Sequence, residues 1–375
     1  MTRSIPGRIP LILDVDTGID DALALLYAAA APEIELLAAT CVAGNIDAQN
    51  VARNTAAVLD LAGRGDVEVA LGAVRPLLRP LRTTPETHGP RGLGYADPPP
   101  AERPLSPRAG ADLLVEEARR HPGRITLVAT GPLTNVALAC LREPAFPTLL
   151  RRLVLMGGAY RTPGNTTPVS EWNIAVDPEA ARVVFDAFSP DHLTPLTPEA
   201  TPDPSGPSAS PSPRTSPSPT PEPDGPEPYR LPLCFGLDVT ETAILTPDHL
   251  ERLWAKAGAR PEDDPLLGCI DEALRFYFEF HAQYDGFYGA HVHDPLALAG
   301  AVHPELVTRS ETVTVDIETA GQLTSGQTVT DWRHHWGRPA NAEIVLEADV
   351  PAFLDRWIER VADLARTTRA GRSGR

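Results

Sequence analysis

IPLILDVDTGIDDALA, residues 9–24, carries an apolar run straight into four aspartates, Asp14, Asp16, Asp20 and Asp21. Ile9 to Val15 reads as a buried strand, and helical periodicity sets in at Asp20. Asp14 and Asp16 then fall at the carboxyl end of a strand, and Asp20 and Asp21 in the first turn of a helix. The same succession recurs, with strands expected at Leu36 to Val42, Val67 to Leu71, Ile125 to Ala129 and Leu153 to Met156. Helices are expected at Asp20 to Ala31, Ala48 to Ala62, Ala109 to Arg120, Asn135 to Leu141 and Pro178 to Phe188. Alternation of this kind builds βαβ units, so the fold class is α/β: a single domain with a mostly parallel central sheet flanked by helices. Binding sites in such sheets gather beyond the carboxyl ends of the strands.

Between residues 195 and 228 thirteen of 34 positions are proline and the remainder are mostly small or polar. Such a segment buries too little apolar surface to offset its ordering entropy, so it is expected to be disordered. The strand-like pattern resumes at Leu231, with further strands expected at Thr312 to Ile317 and Glu343 to Leu346. Loop-closure entropy grows only logarithmically with length. Residues 195–228 are therefore read as an insertion within one domain spanning residues 8–366, followed by a flexible tail, 367–375.

The formal charge of −17 argues against nucleic-acid or anionic-membrane partners, which need basic patches. No early segment has the form of a leader or a membrane span, so the expected location is cytoplasmic. Cys41, Cys140, Cys234 and Cys269 lack metal-like or paired spacing and are expected to be free thiols. Lys256 is the sole lysine.

A helix N-terminus favours a carboxylate by up to about 1 kcal/mol, which accounts for Asp20 and Asp21 as capping charges. It leaves Asp14 and Asp16 unexplained. Converging carboxylates repel unless a proton or a cation intervenes, and oxygen ligands at irregular spacing suit Ca²⁺ or Mg²⁺. Far downstream, HVHDPLALAG (291–300) places His293 and Asp294 before an apolar helical run, where Asp294 reads locally as an N-cap with proline following. VAGNID (42–47), ATGPLTN (129–135) and SEWNIAVDPEAA (170–181) add polar islands after strands. Each has a local reading too: Asn45 closing a turn, Asn135 and Asp177 capping helices.

Taken in order, DVDTGIDDALAL, VAGN, HGPRGLG, ATGPLTN, LMGGAY, EWNIAVDPEAA, GLDVT, HDPLALA and GQTVTDW resemble the inosine-uridine-preferring nucleoside hydrolase family, from about Ile9 to about Leu364. The resemblance implies a bound Ca²⁺ and hydrolysis of the N-glycosidic bond of small-molecule ribonucleosides to ribose and a free purine or pyrimidine base. It implies homodimers or homotetramers as well. Transferred by position, the calcium ligands are Asp16, both oxygens of Asp21, the Thr130 carbonyl and Asp294. Asp20, Asn165, Glu171 and Asn173 hold ribose hydroxyls, with Asn45 and Met156 lining that pocket. His293 protonates the leaving base, His88 belongs to the mobile wall, and Asp14 supports the cluster from behind. The chemistry implied is a Ca²⁺-bound water activated by Asp16, attacking a ribosyl centre with oxocarbenium character.

Thr17 stands where the family usually has proline, which is expected to loosen the turn, and Pro90 and Arg91 stand where an acidic residue is commoner, which is expected to change the base-side wall. Two other readings compete. LDVDTG also resembles a haloacid-dehalogenase-type phosphatase with Asp14 as nucleophile, and a catalytically silent nucleoside or ribose binder would keep the same ligands. The phosphatase reading needs a lysine beside the strand end, and Lys256 lies in an amphipathic helical stretch instead. Among aromatic residues, Tyr277, Tyr284, Phe287, Tyr288 and Trp332 are candidates to stack on a base or to fill the core, and the sequence does not choose the base.

Overall fold

The computed structural model describes residues 7–193 and 229–373. Twelve strands lie among them: β1 Ile9–Val15, β2 Ile34–Cys41, β3 Glu68–Leu71, β4 Thr126–Ala129, β5 Arg152–Met156, β6 Leu233–Phe235, β7 Ile244–Leu245, β8 Ala290–His291, β9 Val307–Val313, β10 Val315–Ile317, β11 Thr328–Thr330 and β12 Ala342–Ala348. Eight form one sheet in the order β3-β2-β1-β4-β5-β6-β12-β9, all parallel except the β12–β9 pair. The remaining four make two small antiparallel pairs, β10–β11 and β7–β8.

β1 is buried along almost its whole length because both faces of the sheet are covered. Its side chains alternate between layers: Leu11, Leu13 and Val15 pack with helices Ile19–Ala30 and Val350–Ser373, while Ile12 packs with helices Gly110–Arg120 and Thr134–Arg142. Strand order reverses at β1, whose neighbours are β2 and β4. A sheet opens a crevice at such a switch point, beyond the carboxyl ends of the two strands that diverge there. Asp16 immediately follows β1 and Thr130 immediately follows β4, so residues 114 apart in sequence meet at that crevice.

β5 and β6 are hydrogen-bonded neighbours although the proline-rich segment separates them in sequence. Residues on either side of it thus share one sheet; the segment itself, expected to be disordered, lies outside the described residues. Two expectations need correction. Thr312 to Ile317 is not one strand, because Thr314 divides β9 in the main sheet from β10 in a separate pair. Nor is the described part of 367–375 a loose tail: the last helix continues to Ser373. Arg369 Nη1 donates to Asp264 Oδ2 at 3.1 Å and Arg372 Nη2 to the Leu61 carbonyl at 3.0 Å. These tertiary anchors hold a terminus whose composition alone reads as frayed. Cys41, Cys140, Cys234 and Cys269 are free thiols.

Candidate active site

Beyond β1 the chain turns through Thr17 and Gly18 into helix Ile19–Ala30. The turn is pinned rather than loosened by Thr17, whose buried hydroxyl lies 2.6 Å from that of Thr55. Gly18 N–H donates to Asp21 Oδ2 at 3.0 Å, closing the helix start onto its own third residue. All four aspartates are buried, and their environments separate their roles.

Asp14 shares the Ile12 side of the sheet. Its Oδ1 accepts from Thr40 Oγ1 at 2.5 Å and Asn135 Nδ2 at 2.7 Å. Asn135 also accepts from Ala73 N–H, so it is a brace between strand ends rather than a helix cap. Burial lifts the Asp14 carboxyl to about 7 despite those two donors. Asp14 does not line the cavity, and Lys256 pairs with Glu359 at the exposed surface of helix Pro247–Ala257. The sole lysine is thus not beside the carboxylate that a phosphatase reading would make its nucleophile.

Asp16 Oδ2 accepts the Asn45 amide at 2.7 Å, and its Oδ1 is buried without a partner. Asp21 Oδ1 accepts from Thr130 Oγ1 at 2.8 Å, and Asn45 Nδ2 reaches Asp21 Oδ2 at 3.4 Å. Asp294 is the second residue of helix His293–Val302, one position inside the helix and not its cap. One oxygen each from Asp20, Asp21 and Asp294 lie within 4.8 Å of one another, the one such group among the described residues. Burial pushes every one of these carboxyls above its usual range: Asp20 to about 7, Asp16 and Asp294 well up, and Asp21 upward. Mutual repulsion adds to Asp16, Asp20 and Asp294. Protons or a cation must therefore sit among them at neutral pH. The orphaned Asp16 oxygen and the all-oxygen donor set fit a hard divalent cation.

The room for this cluster depends on glycine. A Cβ at Gly44 would stand 2.1 Å from Asp16 Oδ2 and 2.7 Å from the Pro132 ring. Gly44→Ala is expected to displace the carboxylate and lower kcat/KM by about 10²-fold, the usual cost of a misplacement near 1 Å. Circular dichroism and steady-state rates check this; full activity in the variant would show that Asp16 tolerates the shift.

A cavity of about 600 Å³ opens above the cluster. Asp20, Thr130 and Asp294 reach its wall, whereas Asp16 and Asp21 lie buried behind it. Asn45, Met156, Asn165, Glu171 and Asn173 also line it. Asn173 Nδ2 donates to the Thr130 carbonyl at 2.7 Å and to that of Met156 at 3.2 Å. Glu171 caps helix Trp172–Val176, accepting the Asn173, Ile174 and Gly158 amides, and Asn165 Oδ1 accepts the Trp172 amide. These hydrogen bonds fix the Asn165, Glu171 and Asn173 side chains at the cavity wall.

Also on the cavity wall and close to Asn45, His88 Nδ1 accepts the Ile19 amide at 3.1 Å, leaving Nε2 to carry the proton of the neutral ring. Burial, with His281 nearby, holds that imidazole down at about 3. His293 Nδ1 lies 2.8 Å from Thr240 Oγ1, and burial likewise keeps its imidazole neutral, aided by His291. Pro90 and Arg91 do not reach the cavity; Arg91 pairs with Asp97 at the surface. Of the aromatic candidates, Tyr277 and Tyr284 line the cavity, Phe287 stacks on His281, Tyr288 packs against Phe278, and Trp332 lies under Arg161 elsewhere. Sequence reasoning missed Arg82, Trp172, Glu241, Phe280, His281, Asp285 and His291, all lining residues. Only the helical spacing of Phe280 and His281 with Tyr277 could have signalled any of them.

This geometry can be compared with known proteins. The model of the family described as inosine-uridine preferring nucleoside hydrolase matches residues 11–211 and 219–355. The chain belongs to that nucleoside hydrolase family. Its reaction is hydrolysis of the N-glycosidic bond of ribonucleosides. The pyrimidine-specific ribonucleoside hydrolase RihA of Salmonella paratyphi B is 36% identical over 355 residues, 94% of this chain and 98% of that one. The enzyme of the same name from Shewanella is 36% identical, covering 94% of this chain and 96% of its own. Among solved structures, the purine-preferring ribonucleoside hydrolase from Gardnerella vaginalis superposes with a TM-score of 0.79 at 27% identity, covering 96% of this chain and 99% of that one. A nucleoside hydrolase is thus built here with a carboxylate cluster at one wall of the cavity and amide and carboxylate side chains lining it.

Proposed function

We propose that this nucleoside hydrolase works with Ca²⁺ held by Asp16, Asp21, Asp294 and the Thr130 carbonyl. The observation that carries the reading is the group of buried carboxylates at the switch point, Asp20, Asp21 and Asp294 within 4.8 Å of one another and Asp16 nearby with one oxygen unpaired. When bound, the cation supplies positive charge that offsets the carboxylates and acidifies adjacent water. Asp16, fixed through one oxygen by the Asn45 amide, takes the proton of the attacking water on the other. Asp20, Asn165, Glu171 and Asn173 grip the ribose hydroxyls, with Asn45 and Met156 closing that side, so the ring is oriented before its charge develops. Backbone amides on Glu171 favour its ionised form against the burial that raises its carboxyl, and an ionised Glu171 stabilises a cationic sugar.

His88 and His293 face the leaving base. Because His88 spends Nδ1 on the Ile19 amide, it serves as a neutral donor through Nε2. His293, held neutral by burial, donates a ring N–H as a hydrogen bond to the base as electron density gathers on it; passing the proton itself would require the imidazolium, which burial disfavours. The pyrimidine-specific relatives at 36% identity support one-ring bases as the preferred substrates; the purine-preferring Gardnerella structure supports the second reading. We take the enzyme to be a cytoplasmic homodimer or homotetramer, a reading supported by family resemblance and checked by light scattering and fractionation.

Ribose release from uridine, cytidine, inosine, adenosine and guanosine, measured with Ca²⁺ and after chelation, tests the scheme. Pyrimidine turnover that vanishes on chelation and returns with Ca²⁺ is expected. Turnover indifferent to chelator would remove the cation from the mechanism and leave the hydrolase reaction standing.

A further inference from the structure

A ribose whose 2′ and 3′ hydroxyls meet Asp20 and Asn173, and whose base faces His88 and His293, has one substituent still to be placed: C5′. The wall left for it runs outward. Glu171 and Asn173 are buried, Trp172 is half-buried, and Asn165 and Arg82 are exposed at the mouth of the same cavity. The Trp172 amide donates to Asn165 Oδ1 at 3.0 Å, and the Arg82 guanidinium lies 5.9 Å from the centre of the Trp172 ring. Asn165, Trp172 and Arg82 therefore make one continuous patch.

That patch is rich in donors. Among the described residues Arg82 makes no hydrogen bond or ion pair, and it is the one arginine or lysine lining the cavity. Trp172 Nε1 is buried without a partner, and Asn165, its oxygen used by the Trp172 amide, keeps its side-chain nitrogen to donate. Negative charge nearby is met or screened: both oxygens of Glu171 accept backbone amides, and Glu86 on the rim is exposed to water. Nor is Arg82 on a loose segment. Arg79 Nη2 donates to Glu179 Oε1 and to the Thr319 carbonyl at 2.7 Å each, and the Thr84 amide donates to the Asn45 carbonyl at 3.0 Å, so the chain is tied on both sides of it. A planar guanidinium beside N–H donors suits the oxygens of a phosphate monoester. A neutral 5′-hydroxyl makes no use of its charge.

We propose that this enzyme also hydrolyses ribonucleoside 5′-monophosphates, with the phosphate seated at the cavity mouth on Arg82, Trp172 Nε1 and Asn165. The inference rests on the nucleoside-hydrolase reading of the cavity. In the reaction the C1′–N bond breaks and its electron pair goes to the base. Water supplies the hydroxyl that bonds C1′ and the proton that the base gains. The phosphoester is untouched, so the products are ribose 5-phosphate and the free base.

The probes are the 5′-monophosphates of uridine and inosine, each compared with its own nucleoside, on the calcium-loaded full chain and on Arg82→Ala, Arg82→Lys and Trp172→Phe variants. Product is read as ribose 5-phosphate; ribose with inorganic phosphate marks earlier loss of the phosphate and counts as no turnover of the monophosphate. For the wild type, kcat/KM for the monophosphate is expected to equal or exceed that for the nucleoside. Arg82→Ala is expected to lower that ratio by about 10- to 100-fold, chiefly through KM, the usual cost of a lost charged hydrogen bond. Arg82→Lys keeps the charge and is expected to recover part of the loss. Trp172→Phe keeps the ring and drops only the N–H, and a fall of about three- to tenfold is expected. The readout is a ratio within one preparation, so partial loss of folded protein cancels. Absence of ribose 5-phosphate, or a wild-type ratio below one, overturns the inference and leaves the family reaction intact, as does a ratio unchanged by Arg82→Ala. Release of sugar from neither the nucleosides nor their monophosphates overturns the hydrolase reading with it.

Discussion

Asp16→Asn protein, folded and supplied with Ca²⁺, is expected to lose about 10³–10⁴-fold in kcat with a far smaller change in KM. The substitution is nearly isosteric. Asn45 N–H donates to Asp16 Oδ2 at 2.7 Å, and an asparagine oxygen can accept the same bond, so the loop after β2 keeps its place. What is lost is the second oxygen, Oδ1, which has no partner in the protein and whose lone pairs are the ones available to take a proton from water. Asp14→Asn is the matched control two residues away. Its Oδ1 is anchored by Thr40 and Asn135, and although its Oδ2, like Asp16 Oδ1, is buried without a partner, the side chain lies on the Ile12 side of the sheet and outside the Asp20, Asp21 and Asp294 group, so a loss of no more than about tenfold is expected from small shifts of the strand end. Equal losses in the two variants would mean that Asp16 acts only by holding the cluster together. Single-turnover rates separate the cases, because an uncoupled proton transfer slows the chemical step and a loosened cluster weakens binding.

The strand-to-helix succession was legible because each element declares itself locally. β1 and helix Ile19–Ala30 follow the apolar pattern of residues 9–31 to within a residue or two. The meeting of Asp16, Thr130 and Asp294 was not legible from pattern alone: it depends on strand order, and the order β2-β1-β4 is a long-range property that no local period encodes. Resemblance to a family supplied that juxtaposition. It did not supply Glu241 or Asp285 in the cavity wall, because Glu241 follows a four-residue helix and Asp285 caps the end of a long one, positions that look like ordinary surface carboxylates in sequence. Asn135 shows the opposite error. It sits where a helix cap is expected, yet packing turned its amide towards Asp14 and the Cys41 carbonyl.

Stripped of metal, the protein is expected to become less stable as pH rises from about 4 to about 7, and Ca²⁺ is expected to abolish that trend. The folded chain holds the Asp14 and Asp20 carboxyls near 7, against 3.8 for an ordinary aspartate. Within that window the folded state binds more protons than the unfolded one, so each rise in pH favours unfolding. Asp16, Asp21 and Asp294 shift in the same direction and for the same reason, burial first, so their contributions add in sign. Below pH 4 both states are protonated and the contribution is fully present. By neutral pH the cluster must either ionise against its own repulsion or retain protons. A cation resolves the conflict and reverses the dependence, since it binds carboxylates more tightly as they lose protons. At a free concentration of 100 to 1,000 times Kd it adds about 2.7 to 4.1 kcal/mol. Melting curves at pH 5.0 and 7.5, in chelator and in excess Ca²⁺, read this out: a fall of roughly 5 °C or more between the two pH values in chelator, and none with Ca²⁺. Asp294→Asn should shrink both the fall and the rescue, because it removes one charge from the triangle with Asp20 and Asp21. If melting in chelator were flat across that window, with no gain from Ca²⁺ at pH 7.5, the carboxylates would be neutralised by some other arrangement and the cation would have no seat among them.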